Sequence, residues 1–230
     1  MKASDLLEQF RFEMVDTAKP YLWSDKEAWG YMSDAYKTFV RLIGGIADFT
    51  SDLSRADIVA GEAIGEYSTK ILRVMSAWRV SDGAEIAVVN PPDITFKRDT
   101  DYGLVRPMYI DSTPGPVRYM VIGGERGKCK WVQVPEVDDT AQLYIYRMPK
   151  DEIANDGSGA GFEFDEIDEE HVTNLCLWMR YRGYMKSDAD AYDRGRADEF
   201  KEAFVAYCSQ AKAEAERKKH KTRVVHYGGL

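Results

Sequence analysis

The sequence predicts an α+β protein: an α-helical bundle formed by N- and C-terminal helix pairs, with an inserted small antiparallel β domain. Three observations predict it. Apolar residues recur at helical spacing near both ends of the chain. Between Asp57 and Arg147 that spacing disappears, and β-branched and aromatic residues with hairpin signals replace it. An acidic, glycine-containing stretch then leads back into helix. The economical arrangement pairs the outer helices in one bundle and makes the β section an insertion. The expected divisions are a first bundle half at 1–50, a β-rich insertion at 51–150 and an acidic Gly-rich linker at 151–167. The second bundle half, with a long C-terminal helix, follows at 168–221, and a tail occupies 222–230.

The first helix is expected from Ala3 to Thr17, with Leu6, Leu7, Phe10 and Met14 on one side and Ala18-Lys19-Pro20 ending it. Ser24-Asp25-Lys26-Glu27 reads as a capping box, in which the Ser hydroxyl and the Glu carboxylate satisfy each other's orphan backbone donors. Behind it Ala28, Met32, Ala35, Tyr36, Phe39, Val40 and Ile43 form a second amphipathic stripe, stopped by Gly44-Gly45.

In the β section, Leu72, Val74, Ser76, Trp78 and Val80 alternate with Arg73, Met75 and Arg79, the pattern of a half-buried strand. Asp82-Gly83 between this run and Ile86 to Val89 signals a hairpin with a type I′ turn. Asn90-Pro91-Pro92 breaks the chain, and Ile94 to Thr113 reads as an extended loop. Val117 to Ile122 and Cys129 to Val134 form a second hairpin around GGERG, and Ala141 to Arg147 is a strand ended by Pro149. Five or six strands result, enough for a small sandwich or barrel-like unit.

Val172, Leu175, Cys176 and Met179 make Glu169 to Tyr184 an amphipathic helix, its stripe widened by Trp178, Tyr181 and Tyr184. Gly183 and Ser187-Asp188 mark its end and a fresh start. Tyr192, Phe200, Ala203, Phe204, Tyr207 and Ala211 then line one face of a much longer helix. Its last turns carry Arg217, Lys218, Lys219 and Lys221, with no apolar residue among them.

Composition narrows the function. An apolar fraction of 44% and a charged fraction of 30% are those of an ordinary soluble protein. No apolar run approaches the length of a membrane span. Asp5 and Glu8 stand where a signal peptide needs an apolar core. Cys129, Cys176 and Cys208 are odd in number and widely spaced, as reduced, buried thiols of a cytoplasmic product would be. A net charge of −8 argues against the whole surface gripping nucleic acid.

No catalytic or cofactor pattern emerges. The GSGAG run at Gly157 to Gly161 follows no strand and is flanked by Asp151, Glu152, Asp156, Glu163 and Asp165, which would repel phosphate; it reads as a flexible linker. His171, His220 and His226 have no ligand spacing with the cysteines, so no metal is expected. Carboxylate pairs such as Glu169-Glu170 and Asp138-Asp139 arise by chance among 39 acidic residues. The basic cluster Arg217, Lys218, Lys219, Lys221 and Arg223 carries more weight. Cations complementing the helix macrodipole account for two or three of these charges, not five. Duplex DNA and an acidic protein surface are both compatible partners. The tail TRVVHYGGL, with Val224, Val225 and Tyr227, can dock beside the cluster as extended tails do.

The opening DLLEQFRFEMVDTAKPYLWSDKEAWGYMSDAYKTFVR, the ILRVMSAWRVSDGAEIAVVN hairpin, the strand ending LYIYRMP and the C-terminal WMRYRGYMKSDADAYDRGRADEF…VVHYGG together resemble a tailed-bacteriophage head-to-tail adaptor, or connector, protein. The resemblance runs nearly end to end. It implies a helical bundle carrying a β insertion, many copies forming a dodecameric ring beneath the portal in the virion neck. It also implies that one side binds the portal protein and the other the tail tube, nozzle or fibre proteins. It supplies no catalytic residues, cofactor or metal. Genome DNA would pass through without specific binding, past an acidic lining that suits a conduit, and assembly would occur in the host cytoplasm without a membrane. Portal docking then falls to Arg217, Lys218, Lys219, Lys221, Arg223, Val224, Val225 and Tyr227. Two other classes compete: a DNA-binding module using the basic helix end, and a wall-degrading hydrolase, which would need a pH-tuned carboxylate pair.

Overall fold

The structure is a computed structural model that describes residues 1–90, 97–98, 105–106, 111–154, 158–187 and 191–219. It is mixed α+β and divides into two compact units, one made of Met1–Gly44 with Asp151–Leu230, the other of Gly45–Lys150.

The first unit is helical. α1 (Ala3–Glu13) starts where the Lys2 N–H donates to the Asp5 carboxylate at 3.0 Å. It stops short of the expected Thr17, because Asp16 is drawn inward against Arg11 and the intervening Val15 takes φ +57°. α2 (Asp25–Ile43) opens on the expected capping box: Glu27 N–H donates to Ser24 Oγ at 3.3 Å, and Ser24 N–H to the Glu27 carboxylate at 2.8 Å. Gly44 ends it at φ +97°, a left-handed conformation that residues with a Cβ rarely adopt. α3 (Glu169–Tyr184) buries Val172, Leu175, Cys176, Met179 and Gly183. Hydrogen bonds fix it to both N-terminal helices and the turn between them: Arg180 to Glu13 at 2.8 Å, Trp178 Nε1 to Asp34 at 2.8 Å, and Trp23 Nε1 to the Gly183 carbonyl at 3.0 Å.

α4 (Arg194–Lys219) begins later than Ser187-Asp188 suggests. The Asp193 carboxylate receives the Arg196 N–H at 3.0 Å, and its carbonyl receives that of Ala197. Its buried face is Ala197, Phe204, Cys208 and Ala211; Tyr192 and Ala203, expected there, are exposed, and Phe200 is half-buried. The glycine-rich stretch is packed, not loose, over its described residues. Ile153 and Phe164 are buried, Ala3 N–H donates to the Phe162 carbonyl, and Phe164 meets Tyr36 edge-on at 5.2 Å.

The second unit is a curled sheet. Its strands are β1 (Ile46–Asp48), β2 (Arg55–Ile58), β3 (Ile64–Glu66), β4 (Ile71–Arg79), β5 (Glu85–Val89), β9 (Tyr119–Val121), β10 (Lys128–Trp131) and β12 (Asp139–Arg147). The spatial order is β1-β12-β4-β5-β9-β10-β3, with β2 also paired to β12. β3 curls back beside β2, and the inner face packs Trp131, Met120, Ile86, Leu143 and Ile145.

Three features differ from expectation. Strands outnumber the five or six predicted, and the sheet is not purely antiparallel, since β5 runs parallel to β9. The first hairpin lacks the two-residue turn; Arg79 N–H donates to the Ala84 carbonyl, and a longer loop over residues 80–83 closes with Gly83 at φ +69°. β4 does not alternate simply. The pairing with β12 slips at Met75 and again at Leu72, so Val74 and Ala77 face inward while Leu72, Trp78 and Val80 are exposed. Most of Ile94 to Thr113 lies outside the described residues. Within or beside it, β6 (Lys97–Arg98) pairs with β7 (Val105–Arg106), and β8 (Asp111–Gly115) runs parallel to β11 (Gln133–Pro135).

Candidate interaction surfaces

The basic end of α4 follows from where its core-facing residues stop. Phe204 and Cys208 are fully covered and Ala211 nearly so, and beyond Ala211 no described residue is buried. Phe200 contributes by stacking on Tyr184, the rings 5.8 Å apart and 7° from parallel, and the Arg180 guanidinium lies 3.8 Å from its ring centroid. Tyr207 reaches back to α3, its hydroxyl 2.7 Å from His171 Nδ1.

The last turns have no such anchor. Arg217 and Lys218 are exposed and form no ion pair with a described residue, and Lys219 is the final helical residue. Arg217 and Lys218 stand where cations complement the helix macrodipole. Lys221, Arg223, Val224, Val225 and Tyr227, predicted to act with them, lie outside the described residues.

The groups with shifted ionisation serve the fold. Burial pushes the Cys129 thiol up to about 11 and that of Cys208 up to about 12. Burial, reinforced by the Glu13 carboxylate, raises Cys176 as well. All three cysteines are free, buried and held as thiols, the unreactive form. Burial opposes ionisation of Asp139, but donation from Ser81 Oγ at 2.6 Å and from the Thr140 N–H at 2.8 Å holds its carboxyl below the usual range. Among the described residues no cluster of His, Cys, Asp and Glu is arranged to hold a metal.

A second surface escaped the sequence reading. On the outer face of the sheet, Trp78 lies opposite Gln142, Tyr144 opposite Ser76, and Tyr146 opposite Arg73. Phe49 packs edge-on against Tyr144 at 6.4 Å while staying 61% exposed. Arg55 and Arg73 stand exposed on the same face and form no ion pair with a described residue. The signal was present in LYIYR, where Leu143 and Ile145 point inward and the two tyrosines outward. The β4 slips, which turn Met75 outward, left no sequence mark.

A family model described as the SU10 adaptor protein matches residues 1–225, and the chain belongs to that family of phage head-to-tail adaptors. No curated protein matches the chain. Among the described residues no helix is long and apolar enough to cross a membrane.

Proposed function

We propose that this chain is a structural virion protein of the phage neck, assembling as a ring between portal and tail. The observation that carries the reading is the family match over 225 of 230 residues, from the first helix to the basic end. In this reading the N- and C-terminal helix pairs act as one bundle, and the β unit is an insertion that faces neighbouring components. The protein has no catalytic role and needs no cofactor. Genome DNA passes through the ring without specific binding, which the net charge of −8 favours. Assembly takes place in the host cytoplasm, with the tail tube, nozzle or fibre proteins joining on the side away from the portal.

Portal docking is assigned to Arg217, Lys218, Lys219, Lys221 and Arg223 with Val224, Val225 and Tyr227. The exposure of Arg217 and Lys218, and the absence of a described ion-pair partner for either, support it. Five cations on one short stretch repel one another, so an acidic portal surface would stabilise them together. The test is electron microscopy of purified portal mixed with the full chain or with a chain ending before Lys218. Rings on portals with the full chain and none with the truncated chain are expected, with thermal stability nearly equal. Undiminished assembly by the truncated chain would remove the docking role from this end. Absence of the full chain from portals and from virion necks would remove the adaptor reading itself.

A further inference from the structure

We propose that Asp82-Gly83, in the loop between β4 and β5, is a latent backbone-isomerisation site, and that Arg79 is the positioning residue that keeps it closed. Neither the loop nor its chemistry depends on the adaptor reading.

An Asp-Gly pair is unusually open to this chemistry, because glycine has no Cβ to hinder attack by its own nitrogen. The Gly83 nitrogen would bond to Asp82 Cγ and give up its proton, while one carboxyl oxygen leaves as water. The product is a five-membered succinimide. Water then opens the ring at either carbonyl. Breaking the new bond from nitrogen to Cγ restores aspartate. Breaking the old bond to the backbone carbonyl leaves isoaspartate, whose main chain runs through Cγ and is one carbon longer. Water is the only co-reactant, and nothing is oxidised or reduced.

Access does not prevent the reaction. Ser81, Asp82 and Gly83 are all exposed, and the Asp82 side chain is 50% accessible. The restraint lies in the hydrogen bonds. Arg79 Nη2 donates to Asp82 Oδ2 at 2.5 Å, and the Ala84 N–H donates to Oδ1 at 3.0 Å. Ring closure expels one of these two oxygens, so whichever leaves must first release its donor. The attacking nitrogen is engaged as well, because the Gly83 N–H donates to the Arg79 carbonyl at 3.0 Å. The loop around them is pinned at both ends: the Arg79 N–H donates to the Ala84 carbonyl at 2.8 Å, and Ser81 Oγ donates to Asp139 at 2.6 Å.

Arg79 is singled out by what its placement costs. Its side chain is 19% exposed, and its Nε is buried with no hydrogen-bond partner among the described residues. A buried N–H without a partner is destabilising, and the contact with Asp82 is the hydrogen bond that offsets it. An isoaspartate at position 82 would carry its carboxylate on the main-chain carbon, where the Arg79 and Ala84 contacts could not re-form as they stand.

The test keeps the full chain folded at neutral pH and physiological temperature for several weeks. Peptide mapping by liquid chromatography and mass spectrometry separates the isomerised peptide from its parent. A synthetic peptide spanning Val80 to Ala87 is the unrestrained reference. Asp156-Gly157, the other Asp-Gly pair, lies outside the described residues and is read separately on its own peptide. Wild type should isomerise at position 82 about tenfold or more slowly than the synthetic peptide, because hydrogen bonds must open first. Arg79→Met should react about threefold or more faster than wild type, as loss of one partly exposed charge contact predicts, with unchanged circular dichroism. If that variant fails to fold, Arg79→Gln gives the same readout. Arg79→Lys, which keeps a cation beside Asp82, should stay closer to wild type than to Arg79→Met. Wild type reacting as fast as the peptide, or the methionine or glutamine variant reacting no faster than wild type, would overturn the proposal. A lysine variant as fast as Arg79→Met would overturn it too, since loosened packing rather than the contact with Asp82 would then set the rate.

Discussion

The Arg11 guanidinium donates to the Asp16 carboxylate across 2.8 Å, with both side chains less than a tenth exposed. Arg11 also reaches the Trp23 carbonyl at 3.2 Å and the Asp25 carboxylate at 2.5 Å, while Asp16 accepts from the Leu22 N–H at 2.8 Å and the Trp23 N–H at 3.3 Å. One pair therefore closes the turn joining α1 to α2. Asp16→Ala should cost about 1–3 kcal/mol, since the Leu22 and Trp23 N–H groups lose their acceptor and Arg11 keeps only Asp25 as a carboxylate partner. Replacing both partners with apolar residues should cost less. Urea unfolding of the two variants checks this, and a loss below about 1 kcal/mol for Asp16→Ala would show that the pair does not hold the turn.

Inside that turn Val15 adopts φ +57° and is 88% exposed. A β-branched residue is strained in this conformation and glycine is not. Val15→Gly should stabilise the protein by about 0.5–1 kcal/mol, strain relief outweighing the added freedom of the unfolded chain. Thermal melts of the pair decide it: a lowered midpoint contradicts the assignment of strain.

Phe204 and Phe200 lie on neighbouring turns of α4, yet they should respond differently. Phe204 is fully buried against Trp178, their rings 5.1 Å apart, and truncation to alanine should cost about 3–5 kcal/mol. Phe200 is half-buried, so its alanine variant should lose roughly half as much. Equal losses in denaturant titrations would mean that the Tyr184 and Arg180 contacts cover Phe200 as well as a core does.

Acid should act through Asp48. Burial opposes its ionisation, but donation from Ser51 and Arg147 and from the Ser51 and Thr50 N–H groups holds its carboxyl well below the ordinary 3.8. A group more acidic in the folded state contributes stability that is full above the unfolded value and lost as pH falls beneath it. Stability should therefore drop steeply below about pH 4. Asp48→Asn should be less stable at neutral pH, with Arg147 left uncompensated, and should lose less on acidification. A parallel pH profile for the two proteins would exclude Asp48 as the source.

Joining Gly44 to Asp151 through a short Gly/Ser linker should leave a soluble, helical protein. The contacts of α1, α2, α3 and α4 with one another survive that deletion, as does the Lys37–Glu152 ion pair at 2.7 Å. Far-ultraviolet circular dichroism reports the result, and a random-coil spectrum would show that the helical unit depends on the β unit.

Much of this was legible locally. Ser24, Glu27 and Gly44 bound α2 through contacts no more than four residues apart, so the sequence displays them. The basic run at Arg217 to Lys219 was visible for the same reason. What the sequence hides depends on distant partners. α1 ends early because Asp16 meets Arg11, Leu22 and Trp23 together. Trp78 faces outward because β12 forces slips in β4 that no local pattern records. Cys208 and Ala197, not Ala203 and Tyr192, complete the buried face of α4 because α3 packs slightly around the helix from where aromatic content alone points.

The interrupted course of the helical unit has a consequence for synthesis. Residues 45–150 leave the ribosome as one continuous stretch containing all the partners of their own sheet. The α1–α2 pair is made earlier, yet Trp23 and Asp34 wait for Gly183 and Trp178, well over a hundred residues downstream. At about 5–20 residues per second that wait is on the order of ten seconds or more. Vectorial translation thus favours a nascent chain whose middle folds first while its N-terminal helices keep Phe10, Met32 and Phe39 uncovered. In that interval chaperone capture and premature contact between neighbouring nascent chains compete with folding, and the exposure begins to close only when α3 delivers Trp178 and Gly183.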